Sequence, residues 1–272
     1  MSRTAIIAGR GGLPAALVAA LPERPLVAAL EGFAPDGLVP DQTFRVERLA
    51  LFLRLLTDSG VSRVVFAGAV QRPWLDPALF DPQTAQMVPR LLAAMQAGDD
   101  ATLREVVAIF EEAGFAVAGV QDIAPDLVPG PGTLCGAPSE ADSRDAARAA
   151  VIVAALGGVD VGQGAVVAQG LCLAVEALPG TDAMLDWVAQ TAGQMGARPN
   201  PAGAKGVFYK APKPGQDHRI DLPTLGLETL RRAARAGLAG IAWQAGGVIV
   251  LDRAAMIAEA ERLGLFLWAR EA

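Results

Sequence analysis

The chain has 272 residues, of which 52% are hydrophobic and 19% charged, and its net charge is −6. That length suits two domains, each able to bury its own core. The acidic balance, with a pI of about 4.9, argues against a nucleic-acid partner, which would call for a basic patch, and one histidine with two cysteines excludes a histidine-rich zinc site.

The first half reads as strand alternating with helix. Thr4-Ala-Ile-Ile-Ala8 is a buried strand and 14–21 a helix, followed by a second strand, Pro25-Leu-Val-Ala-Ala-Leu30. Thr43-Phe-Arg-Val-Glu47 is a weaker strand, 50–59 a helix and Ser62-Arg-Val-Val-Phe-Ala67 a strand. Helices are expected near 85–97 and 101–113, and Phe115-Ala-Val-Ala-Gly-Val120 closes the unit as a strand. Short apolar strands separated by helices predict a Rossmann-like parallel sheet with helices on both faces.

Composition then changes. Residues 125–138 hold four prolines and three glycines, which can neither continue a helix nor enter a central strand. We expect an N-terminal domain over 1–130, a linker over 131–139 and a C-terminal α/β domain of mixed order over 140–272. The second half opens with a helix over 140–156, then strands 164–169 and 171–176 split by Gly170. A helix over 182–194, a strand over 205–210, a helix over 224–236, strands near Ile241 and 248–251, a helix over 253–263 and a strand over 265–268 complete it. The longest charge-free stretch, 236–251, is too short and too rich in glycine to span a membrane. The N-terminus enters a strand almost at once, without the apolar region of a signal peptide, so a cytoplasmic location is expected. Cys135 and Cys172 have no CxxC spacing and are expected as two buried, reduced thiols.

Three places carry candidate chemistry. Gly9-Arg-Gly-Gly-Leu-Pro14 lies between the first strand and first helix, where backbone N–H groups meet a phosphate in dinucleotide folds. Glu31, at the end of the second strand, stands where a ribose-binding carboxylate would. Pro14 replaces the third glycine and fits the first helical turn. The loop therefore reads as a phosphate contact, as a plain strand-to-helix turn, or as part of an NAD-type site. Gly98-Asp-Asp100 and Gly180-Thr-Asp182 precede helices, where their carboxylates are expected as N-caps.

The third place is Lys210-Ala-Pro-Lys-Pro-Gly-Gln-Asp-His-Arg-Ile-Asp-Leu-Pro-Thr-Leu-Gly226. Its prolines hold the backbone extended and reduce the entropy lost in presenting Lys210 and Lys213. Asp217, Arg219 and Asp221 alternate, so an extended segment would put them on one face, with His218 exposed on the other. Pro223 is expected to start a helix, with Asp221 near its N-terminus. Cations at this density suit a phosphate-bearing ligand. The paired carboxylates suit a divalent metal, or an acid/base group beside the same phosphate, and a solvated loop with local ion pairs is the plain alternative.

This loop closely resembles the signature of the UDP-2,3-diacylglucosamine pyrophosphatases of the LpxI type. The resemblance extends to Ile7-Ala-Gly-Arg-Gly-Gly-Leu-Pro14, Phe66-Ala-Gly-Ala-Val-Gln-Arg-Pro73, Gly98-Asp-Asp-Ala-Thr-Leu-Arg104, Asp160-Val-Gly-Gln-Gly-Ala-Val-Val167, Gly180-Thr-Asp-Ala-Met-Leu185 and Ala233-Ala-Arg-Ala-Gly-Leu-Ala-Gly-Ile241, in order. It departs at Ala69, where relatives often carry a polar residue. The resemblance implies two α/β domains and hydrolysis of UDP-2,3-diacylglucosamine to 2,3-diacylglucosamine 1-phosphate and UMP in lipid A biosynthesis. It further implies attack on the α-phosphate, a need for Mg²⁺ or another hard divalent cation, and a homodimer. The family's essential aspartate maps to Asp221, which for the implied hydrolysis is the first expected ligand of a hard cation, with Asp217 or Glu176 next, while Lys210, Lys213 and Arg219 would offset transition-state charge. A non-catalytic nucleotide-sugar or lipid carrier is the main competing reading, and an NAD-type oxidoreductase the next. The matched motifs imply substrate contacts at Gly9, Gly11, Gly12, Leu13, Asp99, Gln163, Thr181, Gln216 and Thr224. A diacylated substrate and lipid product imply peripheral work at the cytoplasmic face of the inner membrane.

Overall fold

The computed structural model describes residues 3–71, 73–191, 198, 200 and 202–271. The chain divides into two compact units: 1–125 with Asp217–Asp221, and 126–216 with 222–272. The chain thus leaves the second unit after Gln216, lends five residues to the first and returns at Leu222.

In the first unit, β1 (Arg3–Ala8), α1 (Leu13–Ala20), β2 (Leu26–Leu30), β3 (Gln42–Phe44), α2 (Leu49–Asp58), β4 (Val61–Ala67), α3 (Pro82–Ala97), α4 (Asp99–Glu112), β5 (Ala116–Ala118) and the one-turn α5 (Val120–Ile123) follow in order. The sheet is parallel throughout, in the order β3-β2-β1-β4-β5. This is the Rossmann-like arrangement expected from the alternating apolar runs. The central strands β1 and β2 are buried along nearly their whole length, because helices cover both faces of a parallel sheet. Below it, Phe44 stacks on Phe52, and Phe110 meets Phe52 and Phe66 edge-on.

The second unit contains β6 (Gly132–Cys135), α6 (Glu140–Gly157), β7 (Gly164–Ala168), β8 (Leu171–Val175), α7 (Gly180–Thr191), β9 (Val207–Lys210), β10 (Thr224–Leu225), α8 (Leu227–Arg235), β11 (Gly240–Gln244), β12 (Ile249–Val250), α9 (Arg253–Leu263) and β13 (Phe266–Arg270). Its six-stranded sheet runs β6-β13-β11-β9-β7-β8. Strands β9, β11 and β13 are parallel, whereas β6, β7 and their neighbours pair antiparallel. Period-two alternation sorts the core. Val207 and Tyr209 pack with α6 residues Ala146, Ala149 and Val153, while Phe208 packs with Met184 and Leu185 of α7 and Leu230 of α8.

Several local expectations need correction. Gly132–Cys135, read as linker, is an edge strand antiparallel to β13, a place where flanking prolines cost no ladder bond. Thr224 does not begin a helix. Thr224 and Leu225 pair in parallel with Ile249 and Val250, and the helix starts only at Leu227 behind Gly226. Burial of Leu225 and the β-branched preference of Thr224 outweigh the helical signal of Pro223. The N-cap of α4 is Gly98, with a φ of 122°, so Asp99 and Asp100 are first-turn residues that favour the positive end of the helix. Cys135 is buried as expected, but Cys172 is exposed on edge strand β8. The expected helix end at 192–194 lies outside the described residues.

Candidate active site

In the second unit, the sheet itself brings three polar groups together. Gly164 of β7 lies directly opposite Lys210 of β9. The N–H of Glu176, just past β8, donates to the carbonyl of Gly164 at 2.8 Å. By alternation, Gly164 and Lys210 share the face of Val166 and Phe208, which is the face covered by α7. Lys210 Nζ donates to Thr181 Oγ1 at 2.5 Å and stands 3.5 Å from Glu176 Oε2. The Thr181 hydroxyl donates in turn to Glu176 Oε2 at 3.0 Å. Lys210 is 5% exposed and Glu176 8%. Glycine makes room for this group. A Cβ at Gly164 would lie 2.6 Å from Glu176 Oε2, and one at Gly162 would lie 2.0 Å from the Glu176 carbonyl oxygen. Between them, Gln163 keeps a buried side-chain carbonyl with no hydrogen-bond partner among the described residues, an arrangement that a donor from a ligand would satisfy.

Beyond Lys210 the loop is held from several sides. The N–H of Ala211 donates to Gln163 O. Pro212 packs over Gly247 and Pro214 over Gly157, at positions where a Cβ would clash. Lys213 Nζ pairs with Asp160 Oδ1 at 2.5 Å. The buried Gln216 side chain accepts the Lys213 N–H at 3.0 Å. The Lys213 backbone and the Gln216 side chain are thus held within the loop, whereas the Lys213 ammonium is held by Asp160 from outside it. Arg232 of α8 pairs with Asp186 and, at 3.5 Å, with Asp182, fastening α7 and so Thr181, while Glu228 braces it within α8 at 3.2 Å.

The Asp217–Asp221 segment, in the first unit, is not extended. Both Ile220 N–H and Asp221 N–H donate to the Asp217 carbonyl, so the segment makes one tight turn and the shared-face argument from alternation fails. A short run with two such bonds closes more readily than it extends without strand partners. Arg219 clasps Asp217 with contacts of 2.6–3.2 Å and reaches Glu111 of α4 at 2.7 Å. The hydrogen bond from Arg219 holds the Asp217 carboxyl below its ordinary value against a smaller opposing effect of burial. His218 is exposed, as the sequence suggested.

The expected cation ligands fare unequally. Among the described residues, no three His, Cys, Asp or Glu side chains form a cluster that would hold a metal. Both oxygens of Asp217 accept from Arg219, and Glu176 faces Lys210. These two fit a hard cation poorly. A site built on Asp221 with phosphate oxygens and water remains compatible with Mg²⁺, which commonly binds through one or two carboxylates and substrate phosphate.

The glycine loop also serves the protein's own backbone. Gly9 N–H donates to Ala67 O at 2.7 Å, and Arg10 and Ala69 exchange both backbone bonds at 2.9 Å. Ala69 contributes only its backbone here, so a polar side chain is not required. Gly9 thus has no N–H left for a phosphate, whereas Gly11, Gly12 and Leu13 lead into α1 beside open space at both glycines. Glu31, the carboxylate on which the NAD-type reading depends, makes an exposed ion pair with Arg45 at 3.2 Å.

Both halves of the chain match known families. The model of the LpxI N-terminal domain matches residues 3–127 and that of the LpxI C-terminal domain residues 130–268. The curated UDP-2,3-diacylglucosamine pyrophosphatase LpxI of Caulobacter vibrioides is 39% identical, with 98% of this chain and 97% of that protein aligned.

Proposed function

The chain belongs to the LpxI family, and on that premise we propose that it hydrolyses UDP-2,3-diacylglucosamine to 2,3-diacylglucosamine 1-phosphate and UMP, a step of lipid A synthesis. The observation that carries this reading is the match to both family domains over nearly the full length, with the Lys210–Gly226 signature intact.

In this reaction water attacks the α-phosphorus. Its oxygen is retained in UMP, and the bond to the bridging oxygen breaks so that the sugar 1-phosphate departs. Negative charge builds on the phosphoryl oxygens and the leaving group. Lys210, buried and held by two partners, supplies a positive charge that needs no reorganisation as that charge grows. Lys213 adds a second cation. Arg219 contributes by fixing Asp217 and the turn that carries Asp221. Gln163, Gln216, Thr224, Asp99 and the backbone at Gly11, Gly12 and Leu13 are proposed substrate contacts, whereas the Thr181 hydroxyl, expected among them, is taken up by Lys210 and Glu176. When bound, Mg²⁺ would neutralise the diphosphate and favour ionisation of the attacking water, with Asp221 as its protein ligand.

The acyl chains belong to a bilayer. Among the described residues no helix is long and apolar enough to cross one, and we propose peripheral attachment. Leu178, 98% exposed, and Trp187, 58% exposed, offer apolar side chains for shallow contact. Homodimer formation is proposed from the family resemblance and is read directly by sedimentation.

The test is hydrolysis in detergent micelles with Mg²⁺ or EDTA, run in ¹⁸O-labelled water. The expected result is Mg²⁺-dependent release of labelled UMP. Label in the sugar phosphate would overturn the site of attack, and tight binding without turnover would favour the carrier reading.

A further inference from the structure

We propose that Glu176 is a positioning residue that acts through Lys210, with the Thr181 hydroxyl as the link, and that it is not a ligand of the catalytic cation. This deepens the hydrolase reading and rests on it.

Four observations converge. First, the register places Lys210 and Gly164 directly opposite each other, and Glu176 is bonded to Gly164 through its N–H. A glycine is therefore flanked on one sheet face by a cation and an anion, and the side chains meet over the gap that it leaves. Second, a Cβ at Gly164 would fall 2.6 Å from the Glu176 carboxylate and 2.9 Å from the Phe208 ring. Any larger residue would displace the acid or the core side chain beneath it. Third, the hydrogen bonds have one direction. An ammonium has only donors, so Thr181 must accept from Lys210, and its single proton then goes to Glu176. The hydroxyl cannot reverse without losing one bond. Fourth, the group comes from three separate places, β9, α7 and the residue just past β8, and its two charged members are buried while Thr181 is half-buried. A carboxylate so placed holds the ammonium in position, and low local dielectric strengthens each interaction.

A cation ligand would need its oxygen turned toward the metal and clear of competing positive charge. Glu176 Oε2 instead lies against an ammonium and accepts a hydroxyl proton. The same oxygen meets both, which makes the three groups a single unit.

The roles separate in kinetics. A group that only orients a transition-state cation affects kcat far more than KM, because the substrate is held largely by other contacts. For Glu176→Gln and Thr181→Val we expect kcat to fall about 30- to 300-fold, somewhat less than the about 100- to 1000-fold cost of removing a preorganised donor outright, with KM within about threefold. Thr181→Ser, which restores the hydroxyl, should recover at least about tenfold of the Thr181→Val loss. The Mg²⁺ concentration for half-maximal rate should stay within about twofold of wild type in Glu176→Gln, since a second-sphere change alone alters metal affinity by more only when it contacts a ligand. Thermal unfolding of each variant checks that it is folded. If Glu176→Gln is unfolded, the Thr181 pair decides the matter alone.

Two results would overturn the inference: wild-type kcat in the folded Thr181→Val protein, or a rise of tenfold or more in the Mg²⁺ requirement of Glu176→Gln. Neither would touch the hydrolase reading. That reading fails instead if the unaltered protein does not hydrolyse the nucleotide lipid.

Discussion

Gly9 and Gly68 press backbone to backbone. A Cβ on Gly68 would lie 2.5 Å from the carbonyl oxygen of Gly9, and one on Gly9 would lie 2.6 Å from that of Ala69. Two motifs separated by some sixty residues are thereby joined in one loop pair. Gly9→Ala should destabilise the protein by about 1–3 kcal/mol, because rigid backbone on the far side cannot yield. Gly12→Ala, which meets nothing within 4 Å, should shift stability by no more than about 0.5 kcal/mol. If Gly12 faces the substrate, that variant should still raise KM. Urea unfolding and steady-state kinetics on the pair separate a packing glycine from a ligand glycine.

Asp221→Asn keeps size and hydrogen-bonding shape but removes the charge that a hard cation requires. We expect kcat to fall at least about 100-fold, with substrate binding retained in calorimetry. A variant that turns over at the wild-type rate would remove Asp221 from the mechanism.

Lys210→Met leaves the Glu176 carboxylate buried without its cation. Breaking a buried pair on one side costs about 3–5 kcal/mol, and burial of both partners supports the upper part of that range here. Adding Glu176→Gln to Lys210→Met should return at least about 1 kcal/mol, since a neutral amide is easier to bury than an orphaned charge. Both proteins should be inactive. Denaturant midpoints that simply add would show that the two residues are not coupled.

The Asp217–Arg219 clasp gives a stability that depends on pH in one direction. Its hydrogen bond to Arg219 lowers the folded-state pKa of Asp217 below the ordinary value of 3.8. A depressed carboxylate contributes stability that is fully present above its unfolded pKa and is lost as pH falls through the folded one. Asp217→Asn should therefore be less stable than wild type at pH 6, and the difference should shrink below about pH 4, where the unfolded-state carboxyl begins to protonate. Urea midpoints for both proteins at pH 6 and pH 3 test the sign. A difference that grows in acid would contradict it.

Runs such as Thr4–Ala8 and Ser62–Ala67 announced a parallel sheet because strands buried on both faces have to be continuously apolar. The 210–216 loop was equally readable, since proline restricts φ whatever the surroundings. Thr224 misled for a local reason: a window around Pro223 carries a helix-start signal, and the partner that makes it a strand, Ile249, is 25 residues on. The alternation at Asp217, Arg219 and Asp221 misled in the same way, because period-two reasoning applies only where a neighbouring strand keeps the segment extended. The Gly162–Gly164 spacing was a usable but unread signal. Two glycines two apart at the head of an apolar strand leave one sheet face without side chains, and something else must fill it.

By itself, the sequence determined the two α/β halves, the charged loop and, through its motifs, the family, because apolar periodicity, proline geometry and a long ordered signature are properties of the chain as written. Only the tertiary structure decided what the charges do. Lys210 meets a glutamate 34 residues upstream, Lys213 an aspartate 53 upstream, and Arg219 a glutamate 108 upstream. Strand register and helix docking select those partners, and a carboxylate's role as ligand, counter-ion or brace is fixed by the charge that stands beside it.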